Sequence, residues 1–310
     1  MTTAFKSNGK LERVLRAGGF AVTAETSPPA SADLVGPLMR AAPLKGVADA
    51  INVTDGAGAK AHLSSLATAA ALVEAGLEPV LQFTCRDRNR LALQGDLLGA
   101  GAFGIHNILC LTGDAADSGD EPDAKGVFDL SSGDLIATAR QLRDDGTLGS
   151  GREVGVRPKY LIGAADMPVD PPDGWKPNTL RAKIEAGVDF VQTQYCFDMD
   201  RCRRYLARLN DFGVPERLFI LIGIGPLRSA KQARWMRDNL FGVEIPDAIV
   251  DRLEGAKDQE AEGRRICAEL LQELRTIPGV AGAHLMAPHQ EAACAAVIRA
   301  SGVLDDRPGD

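Results

Sequence analysis

The chain has 310 residues, of which 45% are hydrophobic, and a formal net charge of −7. This acidic balance argues against a nucleic-acid-binding protein, because such proteins concentrate basic residues on one surface. No apolar run reaches the roughly 18 residues of a membrane-spanning helix. The amino-terminal residues also lack the apolar segment of a signal peptide. We therefore expect a cytoplasmic protein that binds neither nucleic acid nor a membrane.

Six cysteines are spread along the sequence, and no two of them form a C-x-x-C pair. This spacing argues against a structural zinc site. The four histidines are equally dispersed, so we predict no metal site. Reduced cysteines that act as small apolar residues fit a reducing compartment.

Short apolar segments alternate with longer helical patterns along the chain. The segments are rich in Val, Ile and Leu, which is typical of strands buried on both faces. The predicted strands span residues 20–25, 48–54, 78–84, 107–113, 159–164, 190–194, 218–223 and 283–287. The predicted helices include residues 63–75, 90–102, 133–144, 179–186, 198–212 and 232–239, and a longer helical region covers residues 246–277.

Eight strand–helix units in a chain of this length predict an α/β fold, a (β/α)8 TIM barrel, as a single domain over residues 1–310. A doubly wound open sheet is the alternative. The first predicted strand is followed by ETSPPAS and not by a G-x-G-x-x-G sequence, which counts against a dinucleotide-binding Rossmann domain. Two long loops follow the fourth and fifth predicted strands, on the side where barrel enzymes hold their active sites.

Polar residues recur where the predicted strands end. In a TIM barrel these ends meet at one mouth, so we expect the side chains to converge. Each also has a purely structural explanation, such as capping a helix or satisfying a buried amide. The residues are Glu25, Thr54 with Asp55, Gln82 with Thr84, Gly113 with Asp114, Asp166, Gln192 with Gln194, and His284 with His289.

Glu25 is the most informative of these positions because it ends an apolar strand. Partial burial at a barrel mouth would raise the pKa of its carboxyl group and suit it to general acid catalysis near neutral pH. An ion pair with a Lys or Arg across the mouth is the structural alternative. Gly113 and Asp114 end the sequence TGD, where glycine lets a planar ligand approach the backbone and Asp114 can hydrogen-bond the ligand edge.

The segment LQFTCRDRNR, residues 81–90, is crowded with hydrogen-bonding side chains where a predicted buried strand ends. A loop that only reverses direction uses Gly, Asn or Pro instead, so this composition indicates that the segment holds something in place. The sequence contains no P-loop, no H-E-x-x-H motif and no Ser-His-Asp order. Either the mouth carboxylates do acid–base work alone, or they serve an organic cofactor.

Several longer segments make the chain resemble the methylenetetrahydrofolate reductase family. They are TAETSPP, AINVTDGAGAKAHLSS, EPVLQFTCRDRNRLALQGDLLGAGAFGIHNILCLTGD, AGVDFVQTQYCFD, GIGPLRSAKQARWM and VAGAHLMA. The likeness is strongest to the short bacterial form that consists of the catalytic domain alone, including the branch found in acetogens. The resemblance implies a flavin-dependent TIM barrel that interconverts 5,10-methylenetetrahydrofolate and 5-methyltetrahydrofolate by hydride transfer.

The resemblance also implies roles for individual residues. Glu25 falls at the family's general acid, which protonates N10 of the folate, and Asp114 falls at the Asp beside flavin and pterin. Gln194 falls at the family's pterin-binding Gln. The flavin-contacting positions correspond to Thr54, Gln82, Thr84, Leu111, Thr112, Gly113, Asp114 and Lys183.

Departures from the family pattern bear on the cofactor and the substrate. Asp55 stands where the better-known branch of the family has a Tyr, and Gln82 where that branch has a His. The last strand reads HLMAPHQ and not a sequence like HFYTLNR, which places Met286 at the substrate. Met236 falls where the family has an aromatic residue that stacks on the substrate or the nicotinamide.

The implied cofactor is FAD, with NADH or NADPH as the electron donor. FMN, or a flavin-free reductase that uses the nicotinamide directly, is an alternative. A folate-binding methyltransferase barrel without redox chemistry and a non-catalytic subunit of a larger redox complex are further alternatives. The implied partners are the folate substrate and either a second copy of the chain or a redox partner subunit.

Overall fold

The computed structural model describes residues 4–305 and Arg307. The strands are β1 (Ala21–Thr26), β2 (Ala50–Val53), β3 (Pro79–Thr84), β4 (Asn107–Leu111), β5 (Leu161–Asp166), β6 (Phe190–Tyr195), β7 (Phe219–Ile224) and β8 (Gly282–Leu285). The helices are α1 (Lys10–Arg16), α2 (Val35–Ala41), α3 (Ser65–Glu74), α4 (Arg90–Ala102), α5 (Ser132–Arg140), α6 (Asn178–Ala186), α7 (Met199–Asp211), α8 (Ala230–Asn239), α9 (Asp247–Gly255), α10 (Gln259–Leu274) and α11 (Glu291–Ser301).

The strands form one closed barrel in chain order, and neighbouring strands are parallel. Thr23 of β1 shows the closure, since it pairs with Ala50 of β2 on one side and with His284 of β8 on the other. The TIM barrel predicted from the sequence is therefore confirmed, and the doubly wound sheet is excluded. Among the described residues, no helix combines the length and the apolarity needed to cross a membrane.

The bounds of several elements differ by a few residues from the predicted ones. Two of these differences change the interpretation of the chain. The fifth strand, predicted over residues 159–164, is Leu161–Asp166 because its pairing with β4 begins at Leu161 opposite Asn107. The shift places Asp166 within the end of the strand. The helical region predicted over residues 246–277 is two helices, because Asp258 interrupts it and caps α10 by accepting a hydrogen bond from Ala261 N at 2.9 Å.

Apolar side chains fill the inside of the barrel below its carboxyl-terminal mouth. Val80, Leu109, Leu161 and Phe190 are buried there against residues of the short helix α1. The other face of each strand packs against the surrounding helices. A TIM barrel packed in this way is a core and not a channel, so the polar residues at the carboxyl-terminal strand ends are the ones left to form a site.

Gly163 makes room for Phe190 in this inner layer, since a Cβ atom at position 163 would lie 2.3 Å from the Phe190 ring. We expect Gly163→Ala to lower the free energy of unfolding by about 1–3 kcal/mol, because overpacking displaces neighbouring side chains. Denaturant unfolding measures the change. Gly95→Ala is the control: Gly95 lies on α4 with nothing within 4 Å of its Cβ position, so alanine should raise the free energy by up to about 1 kcal/mol. An undiminished stability in Gly163→Ala would contradict this packing.

Candidate active site

A cavity of about 800 Å³ opens at the carboxyl-terminal ends of the strands. Its volume lies within the range of roughly 300–1,000 Å³ that is usual for small-molecule sites. The wall combines strand ends with the loop between β5 and α6 and the first turns of α6. The cavity brings together nine of the residues predicted from the sequence: Glu25, Gln82, Leu111, Asp166, Lys183, Gln192, Gln194, His284 and Met286.

The Glu25 carboxyl group lies in this wall, with 16% of its side chain exposed. Burial raises the pKa of Glu25 to about 7; the hydrogen bond from Gln82 lowers the pKa, and the charge of Glu291 raises it. Gln82 Nε2 donates to Glu25 Oε2 at 3.5 Å, and His284 Nε2 lies 3.9 Å from the same oxygen. A carboxyl group with this pKa keeps a large protonated fraction at neutral pH, which suits it to donate a proton.

A hydrogen-bonded row of neutral side chains, which includes Gln192 of the cavity wall, fixes the His284 ring. Asn52 and Gln192 exchange amide hydrogen bonds of 2.6 and 2.9 Å, and Gln192 Nε2 also donates to Thr23 Oγ1 at 2.9 Å. The Thr23 hydroxyl then has two acceptors within reach, Ala283 O at 3.5 Å and His284 Nδ1 at 3.0 Å, and His284 Nδ1 is the closer one. We assign the Nε2–H tautomer to His284 from this network. Because burial lowers the pKa of His284 to about 3, the ring is neutral and its N–H faces Glu25.

Asp166 and Lys183 line the cavity on the β5 side, four strands away from β1 in the closed barrel. Burial raises the pKa of Asp166, against the effect of the Tyr205 hydroxyl, which donates to Asp166 Oδ2 at 2.5 Å. Burial also lowers the pKa of Lys183, against the effect of the Asp166 charge. The Lys183 ammonium group donates to Ala165 O. This wall therefore holds an acid and a base whose pKa values are shifted towards each other.

Gln194 and Met286 lie in the cavity wall, and Tyr195 holds both of them. Tyr195 N donates to Gln194 Oε1 at 3.0 Å, and the Tyr195 hydroxyl donates to Met286 O at 2.8 Å. The stacked rings of Tyr195 and Phe197, with centroids 5.6 Å apart, support this corner. The side-chain amide of Gln194 is therefore fixed by backbone and packing before a ligand binds.

Several predicted ligand-binding residues of β2, β3 and the loop after β4 lie outside the cavity wall. The Asp114 side chain is exposed, and its Oδ2 accepts a hydrogen bond from Gly58 N at 3.2 Å. The Thr84 hydroxyl donates to Asp55 Oδ2 at 3.0 Å. Both contacts tie these residues to the loop between β2 and α3. The residues outside the wall are Thr54, Thr84, Thr112, Gly113 and Asp114.

Thr54 differs from this group because its hydroxyl oxygen is buried and has no hydrogen-bond partner among the described residues. Thr54 itself is only 6% exposed. A buried hydroxyl without a partner is unfavourable by about 1–3 kcal/mol, so a bound group that hydrogen-bonds to it would relieve this. The Thr54 hydroxyl is therefore a candidate contact for a cofactor.

Met236 lies outside the cavity wall, although the sequence predicts that it contacts the substrate. It is 5% exposed and belongs to the apolar core under α8. Ala230, Ala233 and Met236 follow one another at three-residue intervals and share the buried face of that helix. The aromatic rings in the cavity wall are instead contributed by Trp175, Phe241 and Tyr205.

The segment at residues 81–90 holds the neighbouring loop in place. Gln82 reaches the cavity. Thr84 and Arg88 instead bind the Asp55 carboxylate. This carboxylate also accepts a hydrogen bond from Ser65 Oγ at 3.0 Å. Asn89 then caps α4 by accepting hydrogen bonds from Leu91 N and Ala92 N, both at 3.1 Å. The polar side chains of this segment therefore provide a cavity contact, an anchor for the neighbouring loop and a helix cap.

Thr23 and Asn52 complete the hydrogen-bonded network that reaches His284, and neither was among the residues predicted from the sequence. Each lies two residues before a predicted strand-end residue, Glu25 and Thr54 respectively. Side chains two residues apart on a strand point to the same face, so this period was the signal that could have identified them. Trp175 and Phe241 lie outside the helices and strands, where no such period exists.

Comparison with known proteins places the chain in a family. A model of the methylenetetrahydrofolate reductase family matches residues 10–302. The methylenetetrahydrofolate reductase 1 of Schizosaccharomyces pombe is 24% identical over an alignment of 245 residues, which covers 74% of this chain and 36% of that protein. The 5,10-methylenetetrahydrofolate reductase of Salmonella typhimurium is 28% identical over 192 residues, which are 62% of this chain and 57% of that protein. The chain thus spans only part of the length of these relatives.

Solved structures share the barrel fold at low sequence identity. An uncharacterized protein from Clostridium thermocellum, which binds two copies of 5-methyl-5,6,7,8-tetrahydrofolic acid, has a TM-score of 0.60 and 12% identity over 94% of this chain and 98% of that one. DmoA from Hyphomicrobium sulfonivorans has a TM-score of 0.58 and 10% identity over 94% of this chain and 90% of that one. The family match is independent of these folds and extends from α1 to α11. The chain belongs to the methylenetetrahydrofolate reductase family.

Proposed function

We propose that this protein interconverts 5,10-methylenetetrahydrofolate and 5-methyltetrahydrofolate by hydride transfer with a bound flavin. The observation that carries the proposal is the Glu25 carboxyl group, whose pKa burial raises to about 7 in the wall of a cavity of about 800 Å³. Opening the methylene bridge requires a proton at N10 of the folate, and a positioned carboxylic acid of this pKa supplies it near neutral pH. Membership of the family supports the same reaction.

Protonated Glu25 donates to N10 of the substrate and becomes a carboxylate. The neutral N–H groups of Gln82 and His284 face the Oε2 atom of this carboxylate. They stabilise the negative charge as it forms. Neutral donors do not keep the resting carboxyl group ionised as a neighbouring Lys or Arg would. In the opposite direction the Glu25 carboxylate takes the proton back.

Four of the residues that the resemblance implies for a flavin support a flavin in this proposal. The unpaired Thr54 hydroxyl offers a hydrogen bond, and Gln82, Leu111 and Lys183 already line the cavity. With Thr84, Thr112, Gly113 and Asp114 they form the proposed cofactor site, with FAD as the flavin. When bound, the flavin supplies or accepts the hydride. Gln194, Asp114 and Met286 are proposed to hold the pterin beside it.

A flavin-free reductase is the second candidate, and one observation favours it. Thr84 and Asp114, both at flavin-contacting positions, already hydrogen-bond to the loop between β2 and α3. In such an enzyme NADH or NADPH would deliver the hydride to the folate directly, and Glu25 would keep its role as the acid.

Turnover with and without flavin separates the two candidates. Protein stripped of any flavin is given 5,10-methylenetetrahydrofolate with NADH or NADPH, and 5-methyltetrahydrofolate is quantified by chromatography. Product that forms only after FAD or FMN is added supports the flavin enzyme. Product without flavin supports the second candidate. No product under any of these conditions, and no oxidation of 5-methyltetrahydrofolate with an artificial electron acceptor, would contradict both.

The electron donor and the protein partners belong to the same proposal. NADH or NADPH delivers electrons to the flavin in the reductive direction. The resemblance to the acetogen-like branch extends the proposal to a redox partner subunit, with a homo-oligomer as the alternative assembly.

A further inference from the structure

Lys176 is a cationic side chain in the cavity wall whose charge is not neutralised by the described part of the chain. It is exposed on the loop between β5 and α6, and its ammonium group forms no hydrogen bond or ion pair with the described residues. Of the acids in this loop, Asp170 pairs with Arg204, and Asp173 lies outside the cavity wall. The first turn of α6 carries no acidic residue.

Lys176 and Glu25 line the same cavity from opposite sides of the mouth. The Lys176 loop follows β5, which is four strands away from β1 in the closed eight-stranded barrel. A proton donor therefore occupies one side of the cavity and an unpaired cation the other. A ligand that reacts at Glu25 and spans the mouth brings its far end to Lys176.

The side chains around Lys176 suit a ligand in which a planar ring is followed by an anionic group. An ammonium group on a flexible stem binds carboxylate or phosphate oxygens as a point charge. Trp175, directly before Lys176, lines the same wall, and the Tyr205 ring supports it at a centroid distance of 5.7 Å. A folate carries an aminobenzoyl ring followed by glutamate carboxylates, and a flavin nucleotide carries a ring system followed by phosphate.

We propose that Lys176 is a specificity-determining residue that binds the anionic end of the ligand, an oxyanion of either the folate glutamate tail or the flavin phosphate, with Trp175 against the part that precedes it. The inference rests on the proposed function, because that function supplies the two ligands. It adds a residue that discriminates ligands by their charged end and not by their reacting end.

Binding measured by isothermal titration calorimetry tests the proposal without turnover. The charged ligands are the monoglutamate and triglutamate of 5-methyltetrahydrofolate, and FMN. Their uncharged counterparts are a 5-methyltetrahydropterin without the tail, and riboflavin. The variants are Lys176→Glu and Lys176→Arg. Lys159→Glu is the matched control, because Lys159 is exposed and precedes β5, at the opposite end of the same strand.

We expect Lys176→Glu to weaken the binding of at least one charged ligand by about tenfold or more. The affinity for its uncharged counterpart should stay within about twofold of the wild type. Lys176→Arg should retain most of the affinity, and Lys159→Glu all of it. A loss confined to the folate glutamates assigns the tail, and a loss confined to FMN assigns the phosphate. Equal weakening of charged and uncharged ligands, or no weakening, would overturn the role of Lys176. A wild type that binds none of these compounds would overturn the proposed function itself.

Discussion

Glu25→Gln is expected to remove nearly all folate turnover while flavin and folate binding persist. The amide has almost the same shape as the carboxyl group but cannot give up a proton to N10. Because a positioned general acid contributes about 10²- to 10⁴-fold, kcat for the conversion of 5,10-methylenetetrahydrofolate should fall by that factor. Steady-state kinetics measure kcat, and calorimetry measures both dissociation constants.

The matched control is Glu74→Gln, which makes the same change at an exposed position at the end of α3. It should leave kcat unchanged. Turnover by Glu25→Gln within about threefold of the wild type would exclude Glu25 as the acid. A loss of ligand binding in that variant would show that Glu25 acts mainly in holding the ligands.

The rate of methylenetetrahydrofolate reduction is expected to fall as pH rises above about 7. Burial raises the pKa of Glu25 from 4.5 to about 7, and the protonated form is the proton donor. The rate is therefore level below that pH, and it falls about tenfold for each further unit because the donor is lost. Oxidation of 5-methyltetrahydrofolate needs the carboxylate, so its rate should rise with pH up to about 7. The pH–rate profile therefore has one descending limb for reduction. His284, with a pKa lowered to about 3, stays neutral across this range and adds no second limb to the profile.

Gln82→Leu tests whether this limb belongs to Glu25. The Gln82 hydrogen bond lowers the pKa of Glu25, so its removal should move the limb to higher pH. The pH dependence of kcat/KM reports the pKa of the free enzyme. Gln272→Leu, on the outer helix α10, is the control and should leave the limb in place. A limb near pH 4.5 in the wild type, or a limb whose pH does not change in Gln82→Leu, would contradict the assignment of the limb to Glu25.

The fold was predictable because it depends on patterns that recur along the chain. Eight short apolar segments, each followed by a helical pattern, admit few architectures. The boundaries were less certain, as β5 shows, because its first paired residue depends on the register with β4. Sequence pattern alone does not contain that register.

The cavity residues that lie at the ends of strands could be predicted from the sequence. Glu25, Gln82, Gln194 and His284 follow from the rule that strand ends meet at the mouth, and all four line the cavity. The resemblance named Thr84 as a flavin contact. The sequence could not show that Asp55, which replaces a Tyr of the better-known branch, accepts a hydrogen bond from the Thr84 hydroxyl.

Loops and helix faces account for the other differences between the predicted residues and those that line the cavity. Met236 faces the core because of the orientation of α8 about its axis. Alignment to a family motif does not determine this orientation. Trp175, Lys176 and Phe241 reach the cavity from irregular segments, whose path depends on tertiary packing. Only the folded chain brings these residues to the mouth.

In the proposed reaction, hydride transfer between a bound flavin and the folate depends on Glu25. An absorbance spectrum of the flavin-reconstituted protein, recorded anaerobically before and after addition of 5-methyltetrahydrofolate, tests it most directly. We expect the blue-absorbing flavin band to bleach in the wild type and to persist in Glu25→Gln. A wild-type flavin band that does not bleach, or bleaching of equal extent and rate in Glu25→Gln, would contradict it.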